Sequence, residues 1–339
     1  MPPGPNANAT RCVHKGLSGG KVAGYEDMTM RVIISGATGF IGRALCRELR
    51  GDYELVAPTR DARRGASIVK ECAKVVEWDA RTTSGWADQV EGACAIINLA
   101  GENLGEGRWT PSTKMSILQS RTNSASAIAD AVEGARSKPG VVIQASAVGY
   151  YGSCDDETLT EDSPPGEGFL AGVCRKTEAV AAKVGRQNVR HVQLRTGIVL
   201  GRDGGVLPRL MQPFRFFLGG RVGSGNQWVS WISLQDDIRA IRFLMENRSL
   251  QGPFNLTSPR PVTMKEFSRT LGQVLRRPAW TMLPAFAARL AFGEMADEVL
   301  LASQQAIPKR LVEAGFKFNY ADLRNALDAI IRGEDNESG

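Results

Sequence analysis

The chain is poor in the residues that bind metals. It has two histidines, His14 and His191, and its six cysteines never form a Cys-x-x-Cys pair. Zinc sites are built mostly from clusters of these two residue types, and a Ser-His-Asp triad needs a histidine beside its nucleophile. The sequence therefore predicts neither a metal site nor a triad hydrolase. The scattered cysteines are typical of reduced thiols.

Long hydrophobic runs and a strong charge imbalance are also missing. No stretch reaches the roughly 18 apolar residues that a membrane-spanning helix needs, so no transmembrane segment is predicted. The net charge is +6, from 42 basic and 36 acidic residues in 339. No basic stripe is interleaved with aromatic residues, and we therefore expect no nucleic-acid partner.

Residues 1–29 differ in composition from the rest of the chain. Proline and glycine are frequent, the first acidic residue is Glu26, and the apolar core of a secretory signal is missing. We predict a disordered extension here and a short tail at 331–339. Two alternatives remain open for the extension. An organellar targeting segment would place the protein in a plastid or mitochondrion, whereas a vector-derived or alternative-start extension fits a cytoplasmic protein.

The most informative segment follows this extension. A β-branched run over 31–35 enters a Gly-x-x-Gly-x-x-Gly turn, and a helical pattern begins at once. Glycine permits positive φ and close backbone approach, and a helix N-terminus attracts a pyrophosphate. The pattern predicts a dinucleotide site at the first turn of a Rossmann-type sheet. Its candidate cofactor-binding residues are Gly36, Ala37, Thr38, Gly39, Phe40, Ile41 and Gly42.

Strand and helix patterns alternate along the first 200 residues, which predicts an α/β fold with a doubly wound parallel sheet. Strands are expected over 53–58, 74–78, 93–100, 141–145 and 191–195, and helices over 111–135 and 169–184. We predict a cofactor-binding Rossmann domain over 30–200, with later returns to it. A smaller mixed α/β substrate subdomain with C-terminal helices is expected over 201–330, including an amphipathic stretch over 296–314.

The residues after the second strand favour NADP over NAD. Thr59 and Arg60 occupy the strand end, where NAD-binding proteins commonly place an acidic residue. A guanidinium matches the ribose 2′-phosphate of NADP(H). If Asp61 faced the ribose instead, this preference would weaken, and a solvated basic loop is the alternative without a ligand. Further cofactor contacts are predicted at Asp79, Leu99, Ala100, Gly101 and Glu102.

Several motifs together resemble a known family. The glycine turn, Asn-Leu-Ala-Gly at 98–101 and Ser-Ala-Val-Gly-Tyr-Tyr-Gly at 146–152 are similar to the extended short-chain dehydrogenase/reductase superfamily. Segments 98–103, 169–174, 223–228 and 253–259 resemble its atypical NAD-dependent epimerase/dehydratase-like branch. Some members of that branch carry a cell-division inhibitor label. The resemblance implies an NADP(H)-dependent oxidoreductase or epimerase.

The superfamily's catalytic Tyr-x-x-x-Lys is missing from this chain. Counting back from Glu178, the tyrosine and lysine positions fall on Leu170 and Cys174. In the superfamily the lysine lowers the pKa of the tyrosine, which then exchanges a proton with the substrate. Substitute catalytic groups are predicted among four residues, which are Ser146, Tyr150, Tyr151 and Lys114.

Other residues are candidates for binding a substrate. Arg195 and Arg221 could clamp a carboxylate or phosphate, and Trp228 is expected in the pocket wall. We expect a monomer or homodimer acting on a small-molecule carbonyl or alcohol that is anionic or sugar-like. The alternative is a regulatory protein that senses NADP(H) with little or no catalysis, in cell or organelle division.

Overall fold

The computed structural model describes residues 30–105 and 107–333, so the predicted extension at 1–29 lies outside the described residues. In chain order its strands are β1 (Met30–Ser35), β2 (Tyr53–Thr59), β3 (Lys74–Glu77), β4 (Ala95–Asn98), β5 (Val141–Ala147), β6 (Thr158–Leu159), β7 (Arg190–Thr196), β8 (Ile198–Gly201), β9 (Gly204–Gly205), β10 (Gly220–Val222), β11 (Trp228–Val229), β12 (Trp231–Ser233), β13 (Gly252–Leu256), β14 (Val262–Thr263), β15 (Thr281–Leu283) and β16 (Gln305–Ala306). Its α-helices are α1 (Phe40–Leu49), α2 (Ala62–Val69), α3 (Pro111–Gly134), α4 (Phe169–Ala181), α5 (Leu207–Arg215), α6 (Leu234–Glu246), α7 (Met264–Leu275), α8 (Ala285–Phe292), α9 (Lys309–Glu313) and α10 (Leu323–Arg332).

Seven strands form the central sheet, in the order β13-β7-β5-β4-β1-β2-β3. Every neighbouring pair in this sheet is parallel. In chain order, β2 and β3 are added on one side of β1, and β4, β5, β7 and β13 are then added on its other side. The predicted Rossmann-type fold is thus confirmed, and the order reverses between β1 and β4, where such sheets bind ligands.

Alternate residues of the sheet strands enter two hydrophobic cores on opposite faces. Val32 and Ile34 of β1 pack in the core that contains α1 and α6 residues, whereas Ile33 packs in the core that contains α3 residues. Successive side chains of a strand point to opposite faces, so a strand covered on both sides is apolar throughout. Both faces of the sheet are therefore buried beneath helices.

The second half of the chain adds a third core and also returns to the sheet. Phe214, Trp231, Phe267 and Leu327 belong to this third core, between α5, α7 and α10. β13 pairs with β7 in the central sheet, so the later segment completes it. Within the described ranges, no helix is both long and apolar enough to cross a membrane.

The C-terminal part of the chain is more divided than the sequence pattern indicates. The predicted amphipathic stretch 296–314 contains a π-helical turn (Ala296–Leu300), β16 and the short helix α9. Pro308 precedes α9 and would break a continuous helix. The chain then forms α10, which Asp322 caps and which ends at Arg332, so the predicted tail at 331–339 begins within a helix.

Candidate functional site

The glycine turn lies at the reversal point of the sheet. Gly36 has a φ of +72°, and a Cβ atom there would lie 2.7 Å from the carbonyl carbon of Leu99. At Gly42 a Cβ atom would lie 2.2 Å from the carbonyl oxygen of Gly36. These separations are too short for any side chain, so glycine is what lets α1 and the segment after β4 approach the turn.

The N-terminus of α1 faces this turn without a side-chain cap. Gly39 is the N-cap residue and makes no side-chain hydrogen bond, because it has no side chain to offer. Backbone N–H groups in the first helical turn have no partner within the helix, and the helix dipole adds partial positive charge. The turn therefore has the donors that a pyrophosphate requires.

Arg60 and Asp61, at the end of β2, have different surroundings. The Asp61 carboxylate accepts a hydrogen bond from the backbone N–H of Arg64 at 2.9 Å and caps α2. Arg60 is exposed, and its guanidinium has no hydrogen-bond or ion-pair partner within 30–105 and 107–333. The carboxylate is thus used in the helix cap, which leaves the guanidinium available beside Thr59.

The segment after β4 and the glycine turn border a crevice at the reversal point of the sheet, between β1 and β4. The Leu99 N–H donates to the carbonyl oxygen of Ser35 at 3.1 Å, and the Ala100 N–H donates to Asn98 Oδ1 at 3.2 Å. Gly101 lies against the guanidinium of Arg121, which donates to the carbonyl oxygen of Glu102 at 3.0 Å. These contacts fix residues 99–102 beside the glycine turn.

Asp79 follows β3 and is exposed. Its carboxylate accepts hydrogen bonds from the backbone N–H groups of Thr82 and Arg81, each at 2.8 Å, and these bonds hold its pKa below the ordinary value. The carboxylate therefore organises its own turn. Its contact with a cofactor stays a prediction.

A buried ion pair connects Ser146 to Arg195. Ser146 Oγ donates to Glu178 Oε1 at 2.6 Å, and Arg195 binds both oxygens of Glu178, at 3.1 and 3.0 Å. Ser146 and Arg195 are also register partners in β5 and β7. Burial opposes the charge of Arg195, but its bonds to Glu178 raise its pKa above the ordinary value. The arrangement holds a carboxylate against the Ser146 hydroxyl.

Tyr150 and Tyr151 lie beside this ion pair in different surroundings. Tyr151 is fully buried, and its phenol donates to Asn255 Oδ1 at 2.7 Å and accepts from Arg195 at 3.1 Å. Burial raises its pKa to about 12, which opposes proton release. Tyr150 is only half-buried, and the Arg195 guanidinium lies 3.5 Å from its ring centroid. Of the two phenols, Tyr150 is the more accessible.

Lys114 lies at the start of α3 and contacts groups outside the Ser146–Tyr150–Tyr151 cluster. Its ammonium binds Glu294 at 2.6 Å and lies 4.6 Å from the ring centroid of Phe169. Within the described ranges, no hydrogen bond or ion pair joins it to Ser146, Tyr150 or Tyr151. The structure thus brings the other three catalytic candidates together, and Lys114 belongs to a separate ion pair.

The candidate substrate-binding residues differ in how many of their hydrogen-bond donors are already used within the protein. Arg195 uses four of its five N–H donors within the protein, two on Glu178 and one each on Tyr151 and the carbonyl oxygen of Glu161. Arg221 has a buried Nε without a partner within the described residues. The Trp228 indole donates to Asp156 at 2.9 Å. Arg221 is therefore the freer arginine for an anionic ligand.

Sequence reasoning did not assign roles to three buried polar residues around the site. Asn98 joins β1, β4, β5 and α3 through hydrogen bonds to Ser35, Gln144 and Ser124. Asn255 accepts a hydrogen bond from the Tyr151 phenol, and the Glu161 carbonyl oxygen accepts one from Arg195. The Glu161 carboxylate in turn accepts from the Asn255 backbone N–H. Asn98 and Asn255 lie in the segments 98–103 and 253–259, whose resemblance to the family was the sequence signal that could have identified them.

Comparison with known proteins decides the family. Residues 32–257 match the NAD dependent epimerase/dehydratase family, and residues 283–330 match a domain of unknown function. The chain belongs to the NAD dependent epimerase/dehydratase family. The atypical extended short-chain dehydrogenase/reductase resemblance found in the motifs is thus confirmed.

Relatives of this epimerase-family chain match it along most of its length. An epimerase family protein of Mycobacterium leprae is 41% identical over 296 residues, covering 87% of this chain and 94% of the relative. A chloroplastic homologue of epimerase family protein SDR39U1 from Arabidopsis thaliana is 38% identical, covering 91% and 88%. The crystal structure of human epimerase family protein SDR39U1 with NADPH has a TM-score of 0.81 at 32% identity, covering 89% and 99%.

Proposed function

We propose that this chain is an NADP(H)-dependent oxidoreductase or epimerase-like enzyme acting on a small anionic or sugar-like carbonyl or alcohol. The observation that carries the cofactor assignment is the free guanidinium of Arg60, beside an Asp61 carboxylate already used as a helix cap. The NADPH in the human SDR39U1 structure supports the same assignment. In this proposal residues 30–200 bind the cofactor and residues 201–330 shape the substrate pocket.

The preference for NADP(H) follows from charge. A charge-assisted hydrogen bond between guanidinium and phosphate contributes about 1.5–3 kcal/mol, which corresponds to about tenfold to a hundredfold in affinity. NADH lacks the 2′-phosphate and would leave Arg60 unpaired. The glycine turn would bind the pyrophosphate of either cofactor equally.

A fluorescence titration tests this assignment. We expect the protein to bind NADPH about tenfold to a hundredfold more tightly than NADH, and Arg60→Ala to remove most of that difference. Arg186→Ala is the matched control, because Arg186 is an exposed arginine outside the crevice. Equal affinity for both cofactors in the unaltered protein would contradict the assignment.

Ser146 and Glu178 are proposed to replace the missing Tyr-x-x-x-Lys. The bound cofactor would supply hydride transfer. Because the Ser146 proton points to Glu178, Oγ would accept a proton from a substrate hydroxyl while Glu178 receives the serine proton. The reverse transfer would protonate a carbonyl. Tyr150 is proposed to contact the substrate, and Arg195 holds Glu178 in place.

Turnover of NADPH with a panel of small aldehydes, ketones and nucleotide sugars tests this pair. We expect Ser146→Ala and Glu178→Gln each to lower turnover by about 100-fold or more, with NADPH affinity unchanged. Ser116→Ala, an exposed serine of α3, is the control and should keep full turnover. Unchanged turnover in both variants would overturn the proposed relay.

A regulatory NADP(H) sensor is the second candidate function. Its supporting observation is α4, where the count back from Glu178 assigns Leu170 and the buried Cys174 to the tyrosine and lysine positions of the superfamily. Burial also raises the pKa of the Cys174 thiol, which keeps it protonated. NADPH binding without turnover on the whole panel would favour this function. A cytoplasmic location is proposed, with a plastid or mitochondrion as the alternative, and the chloroplastic relative supports the plastid.

A further inference from the structure

A cavity that is open to solvent lies at the amino-terminal ends of β7 and β13. Its volume is about 760 Å³, which is enough for a small molecule. Because all strands of the sheet are parallel, this edge is opposite the carboxyl-end edge that carries the glycine turn. The cavity is thus separate from the crevice beside β1 and β4.

The charged residues that line this cavity are all cationic. They are Arg190, Arg248 and Arg310, and no carboxylate lines the cavity within the described residues. Arg190 donates to carbonyl oxygens at the end of α6 and just beyond it, and Arg310 donates to those of Gln251 and Pro253. Glu161 contacts Arg310 through the backbone N–H and does not line the cavity.

Arg248 is the free cation of this group. It is exposed, and its guanidinium has no hydrogen-bond or ion-pair partner in the part of the chain that the structure describes. Burial, and then the nearby charge of Arg248, lower the pKa of Arg190 to about 10. The two guanidinium groups therefore repel each other, and an anion bound beside Arg248 would reduce this repulsion.

Two side chains that line the cavity have buried polar atoms without a partner in the described residues. His191 is 8% exposed, and the Gln193 amide nitrogen lies 3.0 Å from its Nδ1. An amide nitrogen donates, so Nδ1 accepts and the proton of the neutral ring is on Nε2. That Nε2 and Gln193 Oε1 both lack hydrogen-bond partners within the described ranges. Buried polar atoms are rarely left without partners.

We propose that this cavity is a second ligand site, which binds a small oxyanion carrying a hydroxyl group, such as hydrogen phosphate or a hydroxycarboxylate. Arg248 supplies the charge, His191 Nε2–H donates to an anionic oxygen, and Gln193 Oε1 accepts from the ligand hydroxyl. Arg195 follows Gln193 by two residues on the same face of β7, so the ligand would contact the strand that positions the Glu178 ion pair.

The histidine content makes a direct test simple. The chain has two histidines, so NMR of the imidazole groups follows His191 with His14 as an internal reference. Inorganic phosphate is added at constant ionic strength, with and without saturating NADPH. We expect a saturable shift of the His191 signals at millimolar phosphate, the same with and without NADPH, and no shift of His14.

Matched variants define the result. Arg248→Gln should weaken phosphate binding by about tenfold or more, since it removes the free cation. Arg136→Gln removes an exposed arginine outside the cavity and should leave binding unchanged. Titrations with citrate and lactate show whether the site prefers a hydroxycarboxylate to phosphate. A saturable shift of the His191 signals with phosphate or with a hydroxycarboxylate supports the site.

Three outcomes would overturn the proposal. The His191 signals could stay unchanged up to about 20 mM of each anion, a concentration at which a site of the expected affinity would be occupied. The shift could persist at full affinity in Arg248→Gln. It could also disappear when NADPH is present, which would place the phosphate in the cofactor crevice.

Discussion

At the scale of single residues, Asp237 is a buried carboxyl whose two oxygens both lack a hydrogen-bond partner within the described residues. It lies in the first turn of α6 and is fully buried. Its neighbour Asp236 instead binds Arg239 and two backbone N–H groups. Burial and the nearby charge of Asp236 raise the pKa of Asp237 to about 8.

This raised pKa predicts how stability changes with pH. A carboxyl whose pKa is higher in the folded state keeps its proton longer there, so its contribution to stability falls as pH rises from about 4 to about 8. The slope is at most about 1.4 kcal/mol per pH unit. We expect Asp237→Asn to remove this part of the slope in urea unfolding at pH 5 and pH 8.

The control for this prediction is Asp130→Asn. Asp130 is an exposed carboxylate of α3, and its replacement should leave the pH dependence of unfolding as it is in the unaltered protein. An Asp237→Asn protein that loses as much stability between pH 5 and pH 8 as the unaltered protein would show that Asp237 is already ionised at the lower pH.

At the scale of elements, the contact between β1, the glycine turn and α1 is the closest one around the crevice. A Cβ atom at Gly42 would lie 2.2 Å from the Gly36 carbonyl oxygen and 2.7 Å from the Ala37 Cα. These are backbone atoms, which cannot rotate away as a side chain can. The position of the α1 N-terminus therefore depends on this glycine.

Gly42→Ala should push α1 away from the turn. We expect a loss of about 1–3 kcal/mol in the free energy of unfolding, because added atoms strain a well-packed interior. NADPH affinity should fall at least tenfold with it, as measured by the fluorescence titration. Gly51→Ala is the control, since a Cβ atom there would meet nothing within 4 Å. Unchanged NADPH affinity in Gly42→Ala would mean that the turn does not bind the pyrophosphate.

At the scale of the whole molecule, Arg242 joins early and late segments of the chain. It lies on α6 and binds Glu246 on the same helix, Glu48 on α1 and Asp52 after α1, with distances of 2.9, 3.4 and 2.7 Å. Burial opposes its charge, but the Asp52 and Glu246 carboxylates raise its pKa. The network fixes α6 against α1 on one face of the sheet.

Arg242→Gln should lower the free energy of unfolding by about 1–2 kcal/mol, more than a single exposed ion pair contributes, because three carboxylates lose one partner. At about 1 M NaCl the difference from the unaltered protein should shrink, since salt screens partly exposed charges. Arg269→Gln, at an exposed site on α7, is the control in the same unfolding experiment. A difference that does not change with salt would point to packing rather than charge.

Most of the central sheet and the glycine turn could be predicted because local pattern specifies them. The β-branched run of β1, the glycine spacing and the long α3 all follow from residues close in sequence. The stretch 296–314 could not be predicted in this way. Its strand β16 exists because it pairs with β6, which lies about 150 residues earlier, as Gln305 with Thr158.

The amino-acid sequence by itself determined the Rossmann-type fold, the family and the position of the glycine turn, because these depend on short-range periodicity and on glycine where only glycine fits. Only the tertiary structure decided how the polar residues are used. It showed Asp61 capping α2 beside a free Arg60, Ser146 bound to Glu178, and Lys114 bound to Glu294. The last two partners lie 32 and 180 residues away in sequence, and long-range contacts of this kind are set by how strands and helices pack.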